Sequence, residues 1–100
     1  MAKKILTQEN AIEALKKVVD PELGIDIYTL GLVYEINLKE KNKIYIKMTF
    51  TTPMCPYGPI LVEDVKKNLV EKNFKEPEIE IVFTPAWQPS QEVKMMLGLA

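Results

Sequence analysis

One hundred residues are enough for one compact domain, and 47% apolar with 27% charged residues is the balance of a globular chain. The net charge is −1 and all 13 basic residues are lysines, which removes the footprint of a nucleic-acid binder and any bidentate guanidinium capture of phosphate. Histidine is absent and cysteine occurs once, so Ser-His and Cys-His dyads, histidine-containing metal sites and internal disulfides are excluded.

A single thiol suits a reducing compartment. The opening Met1 to Leu6 turns polar at Thr7, too soon for a signal peptide, and no apolar run approaches a membrane span. The expected location is cytoplasmic, with neither membrane nor nucleic acid as partner.

Thr7 is placed to cap a first helix over about Gln8 to Val19, with Ile12, Leu15, Val18 and Val19 on one face. Asp20-Pro21 should stop it, because proline disfavours helical geometry at the preceding residue. Glu22 to Thr29 reads as an irregular loop. Strand one is expected over Gly31 to Lys39, with Leu32, Tyr34, Ile36 and Leu38 on one face. Lys41-Asn42 is the turn, and strand two runs from Lys43 to Phe50 with Ile44, Ile46, Met48 and Phe50 inward. Lys39, Lys41, Lys43 and Lys47, interrupted by Glu35 and Glu40, read either as a solvated hairpin tip or as a docking patch.

After the loop Thr51 to Pro59, a second helix is expected from Pro59 to Lys72. Proline suits its first turn, and Leu61, Val65 and Leu69 line its apolar face. Strand three is placed over Glu78 to Thr84 through Ile79, Ile81 and Phe83. A strand–helix–strand connection favours a parallel, right-handed crossover, so the sheet should be mixed. Ser90 would cap a terminal helix that includes Met95, Met96 and Leu97. The expected fold is therefore α+β, a two-layer domain over residues 1–100. Its order is α-β-β-α-β-α, with helices on one face of a three-stranded mixed sheet.

Three clusters can carry chemistry. Cys55 lies among Pro53, Pro56 and Pro59, which restrict the backbone and present the thiol in a fixed place. A helix start follows within a few residues, and its unpaired N–H groups would favour the anionic form of sulfur. This setting suits metal or sulfur binding, redox chemistry or nucleophilic attack and does not choose among them. The structural alternatives are a tight strand-to-helix turn and a small buried hydrophobe. Asp20, Glu22 and Asp26 could bind a hard cation or ferrous ion, or could end a helix and cap turns. Trp87, between Pro85 and Pro89, is either an exposed recognition element or the largest piece of the core.

In order along the chain come Asp20-Pro21-Glu22, Leu30-Gly31-Leu32-Val33, Thr51-Thr52-Pro53-Met54-Cys55-Pro56 and Trp87-Gln88-Pro89. This series resembles the SufT/PaaD-like family, from about Asn10 to Pro89. That family includes the small cytosolic iron–sulfur assembly factor of eukaryotes, and its domain is similar to a segment fused to certain cluster-carrier ATPases.

The resemblance implies a fold similar to the cluster-assembly scaffold domain and a role in maturing iron–sulfur proteins, without enzymatic turnover. It implies that Cys55 is the functional thiol, with Glu22, Asp26, Thr51 and Thr52 shaping its pocket. Thr29 and Met54 depart from the family pattern, which commonly has an acidic or amide residue before the Leu-Gly pair and glycine before the cysteine. A cysteine-rich tail is absent, which argues against the phenylacetate-degradation role.

The implied cargo is a labile iron–sulfur cluster or iron. Clusters are generally held by four thiolates, so one chain cannot hold one alone. A homodimer joining two Cys55 thiols, aided by carboxylates or small thiols, could hold one labile cluster. The expected partners are carrier or scaffold proteins and client apoproteins. The alternative is an adaptor without metal, in which Trp87 and Met95-Met96 contact partners. A thiol enzyme is disfavoured, because the chain has no arginine to activate sulfur, no resolving cysteine and no histidine base.

Overall fold

A computed structural model describes residues 6–98; residues 1–5, on which the expectation against a leader rests, lie outside it. The elements are α1 (Gln8–Leu15), α2 (Ile27–Leu30), β1 (Val33–Leu38), β2 (Lys43–Met48), α3 (Gly58–Glu71), β3 (Lys75–Ile81) and α4 (Gln91–Met96). The sheet runs β1-β2-β3, with β1 antiparallel and β3 parallel to β2. The mixed three-stranded α+β architecture is as expected, with α2 added to the helix order.

β2 is the central strand and its alternation sets the two layers. Ile44, Ile46 and Met48 are buried, beneath Ala11, Ala14 and Leu15 of α1 and Leu61, Val65 and Leu69 of α3 in one core cluster. Burying each such side chain contributes about 1.5–3 kcal/mol before entropy is counted. The alternate β2 residues Lys43, Tyr45 and Lys47 occupy the other face, where ion pairs join Lys43 to Glu76 (2.8 Å) and Lys47 to Glu35 (3.7 Å). That face is open and charged.

Local chemistry explains the boundaries that matched. Thr7 caps α1 through a reciprocal pair with Asn10. Pro59 stands in the first turn of α3. Ser90 caps α4 by accepting from the Val93 amide at 3.1 Å. Lys41 and Asn42 both have positive φ, 60° and 62°, as tight hairpin turns require.

Four expectations need correction. The first helix ends at Leu15, not Val19: the amides of Lys17 and Val18 tighten onto Ala14 and Leu15, and Val19 bridges to Asp26. β-branched Val18 and Val19 accept that extended path more readily than a further helical turn. The segment read as an irregular loop contains α2, because Asp26 caps it and Gly31 ends it with φ 81°. β3 starts three residues early, since Phe74 is buried and its amide returns to the Leu69 carbonyl at 3.1 Å. Lys75 is thereby delivered straight to Lys43, and Pro77 sits beside the register shift of an edge strand. In β1 a register shift between Val33 and Glu35 breaks the simple alternation, and Leu38 is 40% exposed rather than inward.

Among the described residues no helix is long and apolar enough to cross a membrane, and no buried side-chain nitrogen or oxygen lacks a hydrogen bond.

Candidate functional site

Met48 pairs with Ile81 of β3 and with Val33 of β1. The carboxyl ends of β2 and β3 therefore lie together with the start of β1. Three connections gather at that end of the sheet: α2 entering β1, the loop 49–57 leaving β2, and the loop 82–90 leaving β3. Loops at the carboxyl ends of parallel strands are a general place for binding sites.

The loop after β2 carries Cys55. Its start is fixed by the Thr49 amide, which donates to the Leu32 carbonyl at 2.8 Å. Its end is the Gly58 amide donating to the Cys55 carbonyl at 3.2 Å, closing a turn onto the first residue of α3. Cys55 is a free thiol, half-buried and packed against the core. Its neighbours face outward: Met54 is 87% exposed and Ile60, two residues into α3, 64%. Tyr57 is exposed beside them. Among the candidate pocket residues of this loop, Thr51 is half-buried and Thr52 exposed.

The carboxylates are spent differently. Asp20 is buried and accepts the amides of Glu22 (2.8 Å) and Leu23 (3.1 Å). Asp26 accepts the Thr29 amide at 2.9 Å. Glu22 is exposed. Among the described residues no three His, Cys, Asp or Glu side chains come together as a metal site. Cys55, Glu22 and Asp26 are thus not brought together as a ligand set within one chain.

Trp87 is half-buried. Its indole N–H donates to the Leu30 carbonyl at 2.6 Å, just before Gly31, where an added Cβ would stand 4.0 Å from the indole nitrogen. The Tyr34 hydroxyl donates to the Pro85 carbonyl at 2.8 Å. These two bonds tie the loop after β3 to α2 and β1. Met95 and Met96 are exposed on α4, whose Val93 is buried.

Sequence reasoning missed Phe50, Gly58 and Tyr34. Phe50 was expected simply to point inward, yet its ring meets Gly58 and pairs with Phe83 at 6.3 Å. Tyr34 alternates with core residues, and nothing in its spacing tells that its hydroxyl reaches position 85. The exposed Ile60 had a readable signal, since it lies off the Leu61, Val65, Leu69 stripe.

Residues 8–73 match the family described as iron-sulfur cluster assembly protein. The chain belongs to that family. It is 44% identical over 96 residues to the Fe-S protein maturation auxiliary factor YitW of Bacillus subtilis, covering 92% of this chain and 94% of the relative. It is 40% identical over 87 residues to the Fe-S protein maturation auxiliary factor SufT of Staphylococcus aureus, covering 83% and 99%. Among solved structures, a conserved hypothetical protein of Thermotoga maritima superposes with a TM-score of 0.83 at 38% identity, covering 98% of this chain and 99% of that one. The iron-sulfur cluster assembly family match spans α1 through α3 and so contains Cys55, Asp20, Glu22 and Asp26. Trp87 falls beyond it.

Proposed function

We propose that the chain is an auxiliary factor in the maturation of iron–sulfur proteins, working with carrier or scaffold proteins and client apoproteins, and that Cys55 is the thiol that meets the cluster during transfer. The observation that carries this reading is a free, half-buried thiol on a proline-held loop flanked by exposed Met54 and Tyr57. A half-buried sulfur can be oriented by its own chain while a partner reaches it, and the apolar neighbours give that partner a surface.

The cluster is cargo here. One thiolate falls short of the four that hold a resident cluster, and the Asp20 and Asp26 carboxylates are engaged with backbone amides. Cys55 sulfur would give up its proton on binding iron and take one back when a client cysteine displaces it. This ligand exchange leaves the iron oxidation state unchanged. A second copy of the chain would supply a second thiol, two-fold symmetry would place both on one cluster, and small thiols from solution would complete its four ligands. Thr51, Thr52, Glu22 and Asp26 would border the path rather than ligate.

The adaptor reading draws on the half-buried Trp87 and the exposed Met95 and Met96 and on the lack of a single-chain ligand set among the described residues. The discriminating experiment is anaerobic reconstitution with ferrous iron and sulfide, reading iron and sulfide per chain and oligomeric state. The wild type is expected to hold a cluster shared between two chains, and Cys55→Ala to hold none. If neither protein retained iron, while Trp87→Ala but not Cys55→Ala abolished client maturation, the adaptor reading would replace it.

A further inference from the structure

We infer that Phe50 is a positioning residue for Cys55, acting through Gly58 as a spacer. This rests on Cys55 being the functional thiol, but it is tested on the thiol itself.

Gly24, Gly31 and Gly98 have positive φ, whereas Gly58 does not. Backbone conformation therefore does not explain glycine at position 58, and space does. An added Cβ would stand 2.9 Å from Cε2 and 3.0 Å from Cζ of Phe50, closer than carbon atoms pack without one of them moving.

Phe50 is half-buried, and its neighbours restrain the ring. Its backbone follows Thr49, whose amide is bonded to Leu32. It also pairs with Phe83, with centroids 6.3 Å apart and planes tilted by 59°. Gly58 is buried at the first residue of α3, and its amide closes the turn onto the Cys55 carbonyl at 3.2 Å. The turn 55–58 is thus seated on the Phe50 ring. How deeply the Cys55 sulfur sits follows from how near the backbone of Gly58 can approach that ring. An alanine at 58 would suit a helix better than glycine on propensity alone, so any harm it does at this position comes from the ring.

The test is the alkylation rate of Cys55 by iodoacetamide under native conditions, in the wild type, Gly58→Ala, Phe50→Leu and the double variant. Urea unfolding is recorded for each. Gly58→Ala is expected to change the rate about fivefold or more, and the same substitution in the Phe50→Leu background by less than about twofold, the non-additivity of residues in contact. A merely structural role for the pair would lower unfolding free energy without altering the native-state rate constant.

Equal changes in the two backgrounds, or no change in either, would overturn the inference. If Gly58→Ala alone failed to fold, recovery of folded protein on adding Phe50→Leu would support it. Failure of the double variant where Phe50→Leu folds would overturn it. Because alkylation involves no cluster, loss of the maturation role in other experiments would leave this result to stand or fall separately.

Discussion

Asp26 and Trp87 each give their polar atoms to the backbone of the same short helix, the carboxylate to the Thr29 amide and the indole N–H to the Leu30 carbonyl. Side-chain chemistry that looked available for metal or partner is therefore largely engaged in shaping the end of the sheet. Cys55 differs, since its sulfur has no such task. On the opposite, open face, the Tyr45 hydroxyl donates to the Glu80 carboxylate. That bond, followed by partial burial and the nearby charge of Glu80, Glu35 and Glu78, pushes its pKa from about 10 up to about 12. The folded state favours the protonated phenol, so this contribution is present below pH 10 and fades as pH rises through about 12. Spectrophotometric titration of phenolate absorbance should show Tyr45 ionising late, and Glu80→Ala should lower its midpoint. A Tyr45 midpoint left unchanged by Glu80→Ala would rule out the hydrogen bond as the cause. At this scale the sequence revealed which residues had reactive or polar groups. It could not reveal which backbone amide each would satisfy, because those partners are set by how the loops cross.

The segment 18–31 shows how two aspartates build an element. Asp20 is buried and accepts two amides, while the Asp20 amide and carbonyl bond Ile25 and Gly24 at 3.0 and 2.8 Å. Asp26 then starts α2 and Gly31 ends it. Asp20→Ala would remove the acceptor of two part-buried amides, costing about 2 kcal/mol. Asp26→Ala removes one partly exposed cap, costing about 1 kcal/mol. Urea unfolding should rank Asp20→Ala as the more damaging, and the reverse order would contradict the assignment of Asp20 as the turn's centre. The longer elements were legible because their periodicity is strong: Leu61, Val65 and Leu69 marked α3, and Ile44, Ile46 and Met48 marked β2. The four residues of α2 offer only about one turn, too short for a periodic pattern. The start of β3 was hidden for another reason. Lys75, Glu76 and Pro77 look unlike a strand, and only the buried Phe74 places them against β2.

Across the whole molecule, the parallel pairing of β2 and β3 and the antiparallel entry of β1 bring the Cys55 loop, α2 and the Trp87 loop to one end, while the helix-free face carries alternating charge. The mixed sheet was readable from the strand–helix–strand order, and the family from the order of short motifs along the chain. The gathering of loops was readable only in outline, since it depends on Phe50 meeting Gly58 and on Tyr34 and Trp87 drawing residues 85–87 across. Both belong to contacts distant in sequence, which periodicity does not report. The same arrangement leaves Met54, Tyr57 and Ile60 exposed on the Cys55 loop and the start of α3, the surface on which the proposed transfer relies. The most direct test of that account is transfer itself: cluster-loaded protein mixed anaerobically with an apoprotein client, following the client's recovered activity over time. Wild type should restore activity and Cys55→Ser, equally folded, should not; restoration at the wild-type rate by Cys55→Ser would contradict the central role given to this thiol.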